Sequence, residues 1–294
     1  MTRQIVKVGD QEFFISNLDK ILWPNLSITK GQLLEYYATI SPFALKHWMK
    51  RPTTVIRYPH GINQTGFFQK NCPNFAPEWI SKATVNSIEY VLCNDLPSII
   101  WLINQAAIEL HFPLYQVGQP ENPDLIVIDL DPTPPCGFQD VVEVAFYIKE
   151  ILFELGLQGF PKTSGATGLH IFLPIEPKYT FQQTSGFVGF IGKLLQQVFP
   201  DKVTTERLIK NRRGIYVDHL QNSASRTMAG VYSLRALLNA TVSTPVTWEE
   251  LPMIDPTDLN IFSVPQRLVK VGDLFADVIT KQQSLDLVFE RIPV

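Results

Sequence analysis

The apolar run Leu125-Ile126-Val127-Ile128 ends on Asp129-Leu130-Asp131, and no other junction in the chain constrains its fold as tightly. Short apolar runs of this kind read as buried strands, and alternate residues of a strand share a face. Asp129 and Asp131 therefore aim their carboxylates to one side. Two carboxylates held together repel unless a cation or proton is shared, so the pair says more than either member. A second run, Ile215-Tyr216-Val217, ends on Asp218. A third carboxylate on a neighbouring strand would complete an all-oxygen site for Mg2+ or Mn2+. Two such ions, roughly 3.5–4 Å apart, can activate an attacking hydroxyl and stabilise a leaving oxygen. The pattern points to chemistry on nucleotides or phosphoesters. A single aspartate at a strand end is more often a turn former, and Asp-Pro a turn initiator.

Between the acidic segments lies Lys162-Thr163-Ser164-Gly165-Ala166-Thr167-Gly168-Leu169-His170. Its backbone amides, hydroxyl and cation can form an anion nest. The GxxxxGK[ST] order is absent, so it is not a Walker A loop. His170, set among Leu169, Ile171 and Phe172, reads by itself as a core histidine. Coupled to the loop and facing the aspartates, it becomes a phosphate donor. Arg212, Arg213, Arg226 and Arg235 surround Asp218 in sequence. Arg212 or Arg226 singly reads as solvated surface. Arg235, within Tyr232-Ser233-Leu234-Arg235-Ala236, is flanked by apolar groups and suits bidentate triphosphate binding.

The 294 residues are 45% hydrophobic with a formal charge of −3, enough apolar content for a substantial core. That balance gives no general push towards nucleic acid, so a polyanion must be held by a local basic surface. Cys72, Cys93 and Cys136 form no CxxC pair, which rules out a four-Cys zinc site and predicts reduced thiols. The N-terminus lacks a signal peptide, and no apolar run approaches the roughly 20 residues of a membrane span. A soluble intracellular protein is expected. Strands are predicted over Gln11–Ile15, Thr53–Tyr58 and Ile88–Leu92, and a helix from about Thr29. Asn94 or Asp95 caps a further helix, with Pro97 in its first turn, carrying Ile100, Trp101, Ile103, Ala107 and Ile108 to about His111. From residue 124 the order is strand, loop, helix Phe138–Leu155, strand, helix Phe181–Phe199, strand. Pro132, Pro134 and Pro135 predict that the chain leaves the sheet straight after Asp131. The part from Thr241 onward is expected to wrap back over the core.

Further segments run in order along nearly the whole chain: Asn17-Leu18-Asp19-Lys20 with Trp23-Pro24, Thr29-Lys30, Phe67-Phe68-Gln69-Lys70-Asn71 and Glu109-Leu110-His111. Behind Asp218 come Gln221-Asn222, and later Ser243-Thr244-Pro245-Val246-Thr247-Trp248-Glu249-Glu250-Leu251. With the aspartates and the glycine loop, they resemble the polymerase domain of bacterial ligase D, within the archaeo-eukaryotic primase superfamily. The resemblance implies an α+β fold: a primase-polymerase core of mixed and antiparallel sheets flanked by helices, with an N-terminal DNA-binding extension. It implies one domain over 1–294, with phosphate and DNA contacts in 1–120 and the metal- and nucleotide-binding core in 121–294.

The resemblance also implies roles. Asp129, Asp131 and Asp218 would bind two Mn2+ or Mg2+ ions. Lys162, Ser164, His170 and Arg235 would contact the incoming nucleotide, with His111 near its sugar. Lys20 and Lys30 would recognise a 5′-phosphate on the downstream strand, and Phe67 and Phe68 would stack against DNA. Enzymes of this kind fill short gaps in non-homologous end joining, prefer ribonucleotides, favour Mn2+ and work with a Ku homodimer and a ligase. A cytoplasmic, nucleoid-associated place follows. The chain carries no ligase or phosphoesterase segment, so sealing is expected to need a separate ligase. Its mild acidity predicts modest, salt-sensitive DNA affinity. Read without the resemblance, Lys20 and Lys30 are solvated surface and Phe67-Phe68 core.

Two other readings compete. A haloacid-dehalogenase-type phosphatase would use Asp129 as nucleophile and Asp131 as acid/base, with Gly272-Asp273 to Asp277 as its late acidic element. It leaves Asp218 and the glycine–histidine loop without a role. A non-catalytic DNA-end binder would have no use for three mutually repelling carboxylates.

Overall fold

The run that ends on the paired aspartates forms the strand Leu125–Thr133 in a computed structural model that describes residues 3–292. The chain builds two units. One gathers the chain up to Pro113 with Ala229–Ser243 and Thr257–Asp273; the other takes Leu114–Met228, Thr244–Pro256 and the chain from Leu274. The architecture is α+β with antiparallel and mixed sheets, as the resemblance implies.

Among the described residues, the second unit is built on a five-stranded sheet. Its order is Phe160–Thr163, Leu169–Pro174, Leu125–Thr133, Gly214–Val217 and Val203–Thr204. All neighbours are antiparallel except the last pair. The helices Phe138–Glu154 and Phe181–Val198 cover one face. A Cβ added at Gly192 on the second helix would lie 3.3 Å from Val217, and one at Gly159 would meet both Leu152 and Ile171. Val217 pairs with Leu130, so this apolar face is the one opposite Asp129 and Asp131. On the other face Phe275 packs edge-on against Phe160 and Phe172. The Ser243–Leu251 motif laces the sheet edge: Thr163 N donates to Thr244 O at 2.9 Å, Val246 N to Pro161 O at 3.1 Å and Trp248 Nε1 to Gly159 O at 3.0 Å.

The chain does not leave the sheet after Asp131. The strand continues through Pro132 to Thr133, pairing with Gly214–Val217, whereas its register with Leu169–Pro174 stops at Leu130. Pro132 thus sits where the strand is paired on one flank, and its missing N–H costs no ladder bond.

Among the described residues, the first unit holds a sheet in which Pro52–Arg57 is flanked by Ala107–Phe112 on one side and by Ile88–Leu92 and Phe67–Gln69 on the other. The helix Lys30–Trp48 opens with a capping box between Thr29 and Gln32. Pro42 inside it cannot donate to the Ala38 carbonyl; the Ser41 hydroxyl does so instead at 2.9 Å. Asp95 caps the helix Leu96–Asn104 by accepting from Ser98 N at 2.8 Å. That helix does not reach His111. Ala106 turns the chain with φ +58°, and Ala107–Phe112 follows as a fully buried strand. The apolar stretch from Ile99 to Ile108 has almost no polar residue to mark a period, so helix and strand are not distinguishable there from sequence.

Cys72 and Cys93 are buried free thiols and Cys136 is partly exposed. Among the described residues no helix is long and apolar enough to cross a membrane.

Asn222, four residues after Asp218, is buried and its amide pairs with the backbone of Val127, accepting from N at 2.9 Å and donating to O at 2.7 Å. Replacing it with alanine leaves both backbone groups buried and unsatisfied. Asn222→Ala is expected to lower stability by on the order of 2–4 kcal/mol in urea unfolding. A loss below about 0.5 kcal/mol would show that the pairing carries little weight.

Candidate active site

Strand register sets the second-unit site. Asp129 pairs with His170, His170 with Lys162, and Asp131 with Tyr216. Residues directly opposite in a ladder point to the same face, so Lys162, His170, Asp129, Asp131 and Tyr216 share one. Asp218 lies two residues beyond Tyr216, and its amide donates to Asp129 O at 3.0 Å. A carboxylate nearly ninety positions away in sequence is thereby set against the first two.

The Asp218 carboxylate is also tied down. Its Oδ1 accepts from Leu220 N at 3.0 Å and from the Tyr216 hydroxyl at 3.1 Å, capping the turn His219–Gln221. The Arg212 guanidinium lies 3.6 Å from the centroid of the Tyr216 ring. With Asp218 so turned, no three His, Cys, Asp or Glu side chains among the described residues are arranged to hold an ion. Carboxylates are the ligands a hard divalent cation takes, and Asp129 and Asp131 share one face while Asp218 opens the adjoining turn. The glycine loop closes on this face: a Cβ at Gly168 would lie 2.4 Å from Leu130 O and 3.0 Å from Asp131 Oδ1. Only glycine permits that approach.

Within the loop, the Ser164 hydroxyl accepts from Ala166 N at 3.0 Å and Gly168 N at 3.1 Å, while Ser164 N donates to Gly168 O at 3.0 Å. Gly165 supplies the left-handed turn with φ +72°. Lys162 is 0% exposed, and its Nζ stands 3.1 Å from His170 Nδ1. With Lys162 as an ammonium, which has no lone pair, Nδ1 would accept and Nε2 would carry the ring proton. His170 Nε2 in turn faces Asp129 Oδ1 at 3.5 Å. A lysine–histidine–aspartate line thus runs across three strands. Sequence spacing had suggested these residue types, but only the register joins them.

The first unit carries the remaining candidates. Arg235 Nε donates to Glu109 Oε2 at 2.9 Å, His111 Nε2 is 2.9 Å from the same oxygen, and Ala236 N donates to Oε1 at 3.0 Å. Burial would push the Glu109 carboxyl up. The hydrogen bond from His111, the charges of Arg235 and His111 and the Ala236 amide outweigh it and hold the carboxyl down at about 2. The segment bearing Arg235 is strapped to the strand Ala107–Phe112: Leu110 N donates to Ser233 Oγ at 2.9 Å, and Tyr37 donates to Ile108 O at 2.6 Å while accepting from Leu234 N at 3.2 Å.

Phe67 and Phe68 are 47% and 67% exposed, so they are not core. The Arg57 guanidinium lies 5.3 Å from the Phe67 ring centroid, and Phe68 meets His111 edge-on with centroids 6.3 Å apart. Lys20 is exposed, but Lys30 is 4% exposed and is not solvated surface. Lys30 Nζ donates to Ser16 O at 2.5 Å and Asn104 Oδ1 at 2.7 Å, and its amide donates to Lys20 O at 2.8 Å. Burial, with the nearby Lys20 charge, lowers its pKa to about 8. Glu109 and Asn222 went unassigned in the sequence although both flank candidate residues; alternation with His111 was the available signal for Glu109. Asp273, required by the phosphatase reading, belongs to the first unit, where it accepts from the Tyr232 hydroxyl at 2.7 Å and pairs with His47 at 2.9 Å.

A family model described as the LigD primase-polymerase domain matches residues 29–275. The chain is 36% identical over 272 residues to the bifunctional non-homologous end joining protein LigD of Bacillus subtilis, covering 92% of this chain and 44% of that protein. It is 33% identical over 279 residues to the multifunctional non-homologous end joining DNA repair protein LigD of Mycobacterium tuberculosis, covering 90% and 37%. The chain thus spans less than half the length of these relatives. The solved polymerase domain of Mycobacterium tuberculosis ligase D in complex with DNA superposes with a TM-score of 0.86 at 32% identity, over 92% of this chain and 98% of that one.

The two lysines are electrostatically coupled, and this is measurable. Lys30 is expected to titrate near 8, and Lys20→Ala to raise that value, since removing a neighbouring cation favours the ammonium. NMR of 13C-methylated lysines reads both; an unmoved titration in the variant would show that Lys20 exerts no field there.

Proposed function

This chain belongs to the LigD primase-polymerase family, and on that premise we propose that it is a template-directed nucleotidyl transferase filling short gaps at DNA breaks during non-homologous end joining, with a preference for ribonucleotides. The observation that carries this reading is the register that sets Asp129 and Asp131 on one sheet face with His170 and Lys162, with the Asp218 amide donating to Asp129 O at the end of the adjoining strand. Two carboxylates on one strand face repel unless a cation or proton is shared, which argues against a purely binding role. The phosphatase reading is weakened by Asp273, already engaged by Tyr232 and His47.

In this function Asp129, Asp131 and Asp218 would hold two divalent ions, Mn2+ or Mg2+, which would supply charge compensation at the triphosphate and activation of the attacking 3′-hydroxyl. Lys162 and Ser164 contact the nucleotide's phosphates beside the glycine loop, with His170 held next to them between Lys162 and Asp129. Arg235 offers a charged fork to phosphate, and His111 lies near the sugar. Lys20 and Lys30 receive a downstream 5′-phosphate; a dianion there would favour the Lys30 ammonium against the burial and, to a lesser degree, the Lys20 charge that lower it. Phe67 and Phe68 present exposed rings on which bases stack without sequence preference. A formal charge of −3 confines DNA attraction to such local features and makes it salt-sensitive. A Ku homodimer and a DNA ligase activity are its partners, in the nucleoid-bearing cytoplasm.

The test is primer extension across a short 5′-phosphorylated gap with Mn2+, comparing ribo- and deoxynucleotides. Extension is expected, faster with ribonucleotides, and abolished by Asp129→Ala or Asp131→Ala; persistence in both variants would sink the aspartate assignment. Lys20→Ala with Lys30→Ala should cost the phosphorylated gap about tenfold or more, from charged hydrogen bonds of roughly 1.5–3 kcal/mol each. Extension of a plain primer end should be largely retained, and equal loss on both substrates would refute the phosphate role.

A further inference from the structure

We infer that Glu109 is a positioning residue for nucleotide binding, orienting the His111 ring and the Arg235 guanidinium together; this rests on the nucleotide-contact roles proposed for those two residues. Glu109 and His111 lie two apart on the strand Ala107–Phe112 and so share a face. Glu109 is 5% exposed, and a buried carboxylate is costly unless its oxygens are matched by charged donors. Here they are matched on both sides. Oε1 takes the Ala236 amide, which by itself would tether the segment behind Arg235. Oε2 serves two side chains at once, Arg235 Nε and His111 Nε2, each at 2.9 Å. Its second oxygen therefore does more than anchor backbone: it sets the relative placement of a guanidinium and an imidazole.

The chemistry of that oxygen fixes the imidazole as well. A carboxylate only accepts, so the His111 nitrogen facing it must carry a proton. Nδ1 is then turned to the opposite edge of the ring. Arg235 is the more exposed partner of the pair, with 23% of its side chain accessible against 6% for Glu109. The carboxylate thus stands behind the guanidinium and holds it from its Nε edge. An amide in place of the carboxylate cannot do the same. If its oxygen keeps the Ala236 amide, its N–H bonds face Arg235, donor against donor.

The experiment measures ATP affinity, with Mn2+, for the chain bound to a gapped DNA whose primer ends in a 3′-dideoxynucleotide. Glu109→Gln is expected to weaken ATP tenfold or more while DNA affinity and melting temperature stay near wild type. In a double-mutant cycle, Glu109→Gln added to Arg235→Ala should cost clearly less than the sum of the two single losses, the remainder being the share that acts through His111. A residue that merely stabilises the fold would instead give additive losses and weaken DNA binding too. In the wild-type chain, 15N NMR of the histidine rings should show His111 protonated at Nε2. Wild-type ATP affinity in Glu109→Gln, alongside clear losses in His111→Ala and Arg235→Ala, would overturn the inference. Unchanged affinity in those two alanine variants would instead overturn their own nucleotide roles. Should Glu109→Gln fail to fold, the wild-type spectrum decides: a His111 ring without a proton on Nε2 refutes the arrangement.

Discussion

The hydrogen bond from the Asp218 amide to the Asp129 carbonyl, at 3.0 Å, is the contact on which the candidate chemistry depends. It continues the antiparallel ladder one step beyond Val217 and Leu130, and the ladder fixes which side chains share a face. A slip of one residue would send the aspartates to the face packed by the helices Phe138–Glu154 and Phe181–Val198, where no charged group could be accommodated. The apolar residues that hold register, Ile126, Ile128, Leu130 and Val217, are all fully buried. Core packing and the acidic cluster are thus two faces of one constraint.

Ionisable groups buried away from water recur at the sites that matter. Lys162 beneath the glycine loop, Lys30 behind the exposed Lys20 and Glu109 behind Arg235 are each largely withdrawn from solvent. Burial of a charge is unfavourable unless neighbouring groups answer it. For Glu109 the answer is complete and its carboxyl is driven down. For Lys30 the neighbours are carbonyl oxygens and a like charge, and its pKa falls. The contrast separates a carboxylate that organises other side chains from an ammonium whose charged form an anion would restore.

Most secondary structure was legible because it followed strong local signals. The strand Ile88–Leu92, the cap at Asp95, the capping box at Thr29 and the helices beginning at Phe138 and Phe181 all carry residue types with specific backbone effects. Two of the departures, at Ala106 and at Pro132, arose where context overrode the local rule. A left-handed alanine split an unbroken apolar stretch, and a one-sided stretch of strand tolerated a proline. The role of Glu109 was not legible for a related reason: alternation places it beside His111, but its partners from residues 235 and 236 arrive only with the fold.

The sequence by itself determined the chemical inventory: acids at strand ends, a glycine loop between them, a family-wide order of motifs, and the periodicities that make strands and helices. Those properties are local, set by sterics and by the period of each element. Tertiary structure alone decided that Asp218 meets Asp129, that Lys162 reaches His170 and that Glu109 gathers His111 and Arg235. Each of those contacts joins positions on different strands or loops, and its geometry depends on register and packing, which no local pattern encodes.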